Sequence, residues 1–135
     1  MLDIVSGNNH PEWKHSLLED YSRKIMENDF RFNSSQSKSL IAIKDNEPMG
    51  LMLYEDNPDF KIHLIHIVDD DLDILNAMMR TALSMAANAG KDSVTIHALD
   101  INGTMNSPCL RMGFKFSNDC PCCQRQESVC LRYSF

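Results

Sequence analysis

The stretch from Lys61 to Leu99 changes its hydrophobic period twice, and that change limits what the chain can fold into. Lys61 to Val68 (KIHLIHIV) is β-branched and apolar, the composition of a strand. Beyond it, Leu72, Leu75, Met79, Ala82, Ala86 and Ala89 recur at spacings of three and four, with Met78, Leu83 and Met85 widening the stripe. The period is helical, and so wide an apolar face needs a sheet beneath it. Gly90 is a helix stop, Lys91 and Asp92 form a short connection, and Ser93 to Leu99 (SVTIHAL) returns to strand character. A strand, an apolar helix and a strand joined this tightly predict a right-handed parallel crossover. A ligand is expected at the corner from Val68 to Asn76, where helix N-terminal amides meet the crevice beyond the strand end.

The rest of the chain supplies the sheet. Met1 to Val5 reads as a short strand. Pro11 opens a helix with Asn9 or His10 as its cap and Glu12 placed favourably against the helix dipole. Trp13, Leu17, Tyr21 and Ile25 recur every four residues, so core packing accounts for Trp13 and Tyr21, and the helix should end near Asn28. Asn33 to Ser39 is a polar loop. Leu40 to Lys44 and Met49 to Glu55 are strand-like runs separated by the turn residues Asp45 to Pro48, which predicts an antiparallel hairpin. A second turn, Asp56 to Asp59, leads into Phe60, so three strands meander into the crossover. After Leu99, Asn102, Gly103 and Pro108 allow only a short interrupted helix, ended by Gly113. Phe114 to Ser117 and Ser128 to Phe135 are two further strand candidates, and a strand edge after Cys130 would be open to pairing in a homodimer.

The 135 residues fit one domain, residues 1–135, able to bury roughly 65 to 70% of its unfolded surface. A formal net charge of −6 with 13 basic residues and no Lys/Arg stripe argues against nucleic-acid binding. No apolar run is long enough to span a bilayer and the N-terminus lacks the features of a signal peptide, so a cytoplasmic protein with reduced thiols is expected. Cys120 to Cys123 contains one CxxC spacing, but Cys130 alone would have to complete a second knuckle, so no metal site is expected. Pro121 in a hairpin connection does not suit a thioredoxin-type motif either.

The order strand, helix, three antiparallel strands, helix, strand, short helix, two strands resembles the GNAT superfamily of N-acetyltransferases over the whole chain. The local match is Asn102, Met105, Pro108, Cys109, Leu110, Met112, Gly113 and Phe114. It parallels the family's Asn, a small residue three on, then Leu-Tyr-x-x-Leu-Gly-Phe, with Met105 larger than the pattern prefers. The resemblance implies an α/β (α+β) fold, a mixed sheet of six to seven strands in which an antiparallel meander precedes the parallel crossover, with helices on both faces. It implies acyl transfer from acetyl-CoA to an amine of a small molecule or peptide. The thioester would lie in a V-shaped gap between Ile62 to Val68 and Ser93 to Leu99, its pantetheine arm held by backbone groups of Ile67 and Val68 with help from Asn102, and Asn76 closing the corner.

Two departures from the family pattern carry chemical consequences. Family members usually place Arg/Gln-x-x-Gly-x-Gly/Ala before the crossover helix, where backbone amides cradle the pyrophosphate. Here the residues are Val68-Asp69-Asp70-Asp71-Leu72-Asp73-Ile74-Leu75-Asn76, without a glycine or a cation. Like charges about 4 Å apart cost on the order of 1 kcal/mol even in water, so this loop should repel a pyrophosphate. Structurally, Asp69 to Asp71 are expected to cap the helix and complement its dipole. The second departure is Cys109, which stands where the family often uses a Tyr to protonate the departing thiolate. It is either that acid or a small buried hydrophobe.

Candidate bases for the amine are His66 and Glu55. His63 and His66, three apart on one strand, should lie on opposite faces of the sheet, and His97 lies on the next strand of the crossover. The structural alternative for each is a sheet histidine with satisfied hydrogen bonds, and for Glu55 a solvated strand end. A non-catalytic module that kept the fold and lost the phosphate cradle is the rival reading.

Overall fold

The computed structural model describes residues 2–25, 38–99, 106–116 and 128–135. Its elements are β1 (Leu2–Ser6), a 3-10 turn (Gly7–Asn9), α1 (Pro11–Ile25), β2 (Lys38–Lys44), β3 (Glu47–Glu55), β4 (Phe60–Ile67), a second 3-10 turn (Val68–Asp70), α2 (Leu72–Asn88), β5 (Ser93–Leu99), α3 (Asn106–Met112), β6 (Lys115–Phe116) and β7 (Ser128–Ser134). The strands form one seven-stranded sheet in the order β1-β2-β3-β4-β5-β7-β6. Every neighbouring pair is antiparallel except β4 and β5, which run parallel on either side of α2, as the crossover demands.

The β2–β3 hairpin is tighter than its sequence suggests. Asp45 and Asn46 alone form the turn, both at positive φ, as a two-residue hairpin whose twist matches its strands requires. Glu47 and Pro48 belong to β3, and a bulge between Ala42↔Gly50 and Ile43↔Pro48 absorbs the extra residue. The last strand also differs from expectation. β7 lies between β5 and β6, so the outer strands are β1 and β6, and β6 covers Leu131 and Arg132 of the run after Cys130.

The core has two layers. On one face α2 and α3 cover the sheet, packing Ile74, Met78, Met79, Ala82, Ala86 and Cys109 against Ala42, Met52, Phe60, Ile62, Ile65, Ile67, Val94 and Ile96. Fully burying one such large side chain stabilises by about 1.5–3 kcal/mol. Gly50 permits this close approach, because a Cβ there would come within 2.9 Å of Met78 Sδ and 3.0 Å of Ile74 Cγ2. On the other face α1 delivers Leu17, with Trp13 and Leu18 beside it, onto Ile41, Leu51, Leu53 and Leu64. The carbonyl of His10 accepts from the amide of Lys14, so α1 begins where Pro11 directs it. No helix among the described residues is long and apolar enough to cross a membrane. The remainder of the polar loop before Lys38, and the predicted end of α1 near Asn28, lie outside the described residues.

Candidate functional site

The two strands of the crossover part company halfway. They pair only at Phe60↔Val94, Lys61↔Thr95 and Ile62↔Ile96, yet β4 continues on β3 as far as Gly50↔Ile67 and β5 continues on β7 as far as Leu99↔Ser128. From residues 63 and 97 onward the strands no longer pair with each other, and a wedge opens between 63–67 and 97–99. A cause is visible in the register. Leu53 faces Leu64 whereas Tyr54 faces Ile62, so His63 is an extra residue, and a bulge of this kind bends its strand and sharpens the local twist.

The same bulge resets the faces of β4. Ile62 packs in the α2 layer and Leu64 in the α1 layer, although a plain strand would place both on one side. Alternation resumes after the slip, with Ile65 and Ile67 toward α2 and His66 toward α1. His63 Nε2 lies 2.8 Å from Glu55 Oε1, and Glu55 shares a face with Leu53 and Leu51 by alternation along β3. Both histidines therefore turn toward the α1 side. The expectation that His63 and His66 face opposite ways is corrected, because it assumed an unbroken strand.

His66 is 5% exposed and meets a partner that the sequence reading did not identify: its Nε2 is 2.7 Å from Asp20 Oδ2 of α1. A signal for Asp20 does exist, since it follows the buried Leu17 by three residues and so falls on the helix face turned to the sheet. The contact joins a carboxylate oxygen to a ring nitrogen, whose donor or acceptor role follows the tautomer of the imidazole.

At the other end of the wedge, β4 runs into α2. Asp69 takes up positive φ in the linking 3-10 turn. Asp71 is the cap of the helix: its Oδ1 accepts from the amides of Asp73 at 3.0 Å and Ile74 at 3.4 Å. Its other oxygen, Oδ2, accepts from Lys44 Nζ at 3.1 Å, a tie to β2 with no local signal in the sequence. The Lys44 hydrogen bond, aided by the two amides, holds the Asp71 carboxyl below its ordinary range and raises the Lys44 ammonium above its own.

The other predicted residues fall as follows. Ile67 ends β4, buried in the α2 layer, and Val68 is half-buried against the α1 layer. Asn76 is half-buried on α2 just past its first turn. Cys109 is wholly buried in the α2 layer, and Glu55 is exposed at the end of β3. Asn102, Met105, Cys120, Cys122 and Cys123 lie outside the described residues. Cys130 is described through the backbone of β7, where it is in register with His97. No group of three His, Cys, Asp or Glu able to hold a metal ion occurs among the described residues.

Neither models of protein families nor curated protein sequences give a match to this chain. Solved structures do match. A Klebsiella pneumoniae protein assigned as an acyl-CoA N-acyltransferase superposes with a TM-score of 0.77 at 10% identity, covering 99% of this chain and 97% of its own. A GNAT-family acetyltransferase from Staphylococcus aureus superposes at 0.73 and 11% identity, covering 99% of each chain. A GNAT-family acetyltransferase from Elizabethkingia anophelis, solved with acetyl-CoA bound, superposes at 0.71 and 12% identity, covering 99% and 98%. The fold is that of the GNAT superfamily.

The residues present fit one half of a CoA-type thioester and not the other. Two diverging strands with unpaired facing edges suit an extended arm carrying amide groups, which can pair as an added strand would. The helix end suits no pyrophosphate, since the carboxylate of Asp71 already occupies two of its amides and Asp69 and Asp73 stand exposed beside it.

Proposed function

We propose that this protein is an N-acyltransferase, moving an acyl group from a pantetheine-type thioester, of which acetyl-CoA is the familiar form, to an amine of a small molecule or peptide. The observation that carries this reading is the wedge between β4 and β5, where pairing stops after three residues although both strands continue. In it the arm would pair with the free edges of residues 63–67 and 97–99, Ile67 among them, then with the backbone of Val68 just beyond, and with Asn102.

The acceptor amine would approach from the α1 side. There His66, held by Asp20, lies on the part of β4 that has left β5. The amine nitrogen bonds to the thioester carbonyl carbon, the carbon–sulfur bond breaks, and the amine's surplus proton goes to the His66 imidazole, directly or through a water. Glu55, exposed and bonded to His63, is the second candidate base. The departing thiolate takes its proton from water, because the Cys109 thiol sits inside the apolar layer. The test is incubation of the purified protein with acetyl-CoA or S-acetyl-pantetheine and a panel of amines, read by mass spectrometry. Amide formation above the uncatalysed rate supports the reading; none with any amine overturns it.

A second reading is favoured by the filled helix end: a GNAT-fold module that binds a partner and transfers nothing. It predicts that neither thioester binds.

A further inference from the structure

We infer that the acyl donor is recognised by its pantetheine arm alone, and that Asp71, tied to Lys44, excludes the phosphate-bearing nucleotide from the end of α2. This specificity rests on the acyltransferase reading and adds to it the class of donor: an acyl thioester whose binding owes nothing to a pyrophosphate.

Two independent observations meet here. The first is the wedge, which supplies free strand edges for an amide-bearing arm and stops at Ile67. The second is the turn immediately beyond it. A pyrophosphate following the arm out of the wedge would arrive at the first turn of α2. The amides of Asp73 and Ile74 there already donate to Asp71 Oδ1, and Lys44, the one cation bonded to this turn among the described residues, donates to Oδ2. A phosphate oxygen would have to displace a carboxylate from both amides and from the lysine together. Asp69 and Asp73 would still face it with two further negative charges. The internal carboxylate does for the helix end what a bound phosphate would do, and it is always present because it belongs to the chain.

The experiment is calorimetric titration of the whole reduced protein with acetyl-CoA and, separately, with S-acetyl-pantetheine, repeated on Asp71→Gly and Lys44→Ala. Glycine is tolerated at a helix cap, so the first variant frees the two amides while keeping the helix, as circular dichroism would verify. In the wild type the two donors should bind with affinities equal to within about threefold, the scatter expected without a contribution from one exposed charge. In Asp71→Gly, acetyl-CoA should gain roughly fivefold, the equivalent of one exposed charge at a helix end, with S-acetyl-pantetheine unchanged. Acetyl-CoA binding about tenfold or more tighter than the arm in the wild type, with the excess lost in Lys44→Ala, would make Lys44 a phosphate ligand. That result overturns the inference and leaves the acyltransferase reading standing. Binding of neither donor overturns both.

Discussion

Asp20 of α1 and His66 of β4 are 46 positions apart in the chain, and their side chains meet at 2.7 Å, carboxylate Oδ2 to imidazole Nε2. The imidazole is 5% exposed, so its hydrogen-bond partner is decided by the fold rather than by solvent. This contact joins the meander to the helix that covers it, and it holds the ring on the α1 side of the wedge.

Asp20→Ala removes that acceptor and should lower the unfolding free energy by about 1–2 kcal/mol, measured by urea denaturation, whereas Asp20→Asn keeps an acceptor and should lie closer to wild type. His66→Ala should leave the affinity for the donor thioester unchanged and reduce amide formation about 10²-fold, the effect of losing a general base. Donor affinity falling together with turnover would assign His66 to the architecture of the wedge instead.

Ser39 offers a substitution with the opposite sign. The residue is 1% exposed, its hydroxyl finds no hydrogen-bond partner among the described residues, and it lies against Gly7, where a Cβ would fall on Ser39 Oγ. Ser39→Ala should therefore raise stability, by about 1 kcal/mol, because an unpaired buried hydroxyl is costly. A rise in the urea midpoint at unchanged slope would show it.

Gly50→Ala should cost about 1–3 kcal/mol by overpacking, the price of a methyl group forced between β3 and α2. Met78 is flexible and can yield, but the new Cβ would also stand 3.0 Å from Ile74 and 3.2 Å from Ala42. Thermal unfolding compared with Gly90→Ala separates packing from backbone strain. Gly90 sits at φ +74 with nothing within 4 Å, so there only the backbone pays.

The Asp71 carboxyl is held below the ordinary carboxylate range by Lys44 and the helix amides. Because its folded pKa is depressed, its contribution to stability is fully present above the unfolded value and disappears as pH falls through the folded one. The difference in Tm between wild type and Asp71→Asn should accordingly be constant near neutrality and shrink as the pH falls through and below the ordinary carboxylate range. A difference independent of pH would mean that the carboxylate charge does not matter to the cap.

Much of the architecture was legible because it is written locally. The apolar stripe of α2, the β-branched runs of β2 to β5, the turn residues Asp45 and Asn46 and the stop at Gly90 each act within a few positions of themselves. The acidic run at Asp69 to Asp73 likewise announced a helix start, and Asp71 is its cap. The candidate site was less legible. His66 could be named from its place on β4, but its facing could not, since one inserted residue at His63 inverts every later side chain and nothing in KIHLIHIV marks where the ladder slips.

By itself, then, the sequence determined the elements, their order and the parallel crossover, because propensity and period are properties of neighbouring residues. The tertiary structure decided the rest: the bulge in β4, the wedge between β4 and β5, the placing of β7 inside β6, the meeting of Asp20 with His66 and the tie of Lys44 to Asp71. Each of these is a pairing between distant parts of the chain. Such pairings are selected by which burial and hydrogen bonding the whole sheet can satisfy at once, and no local window contains that sum.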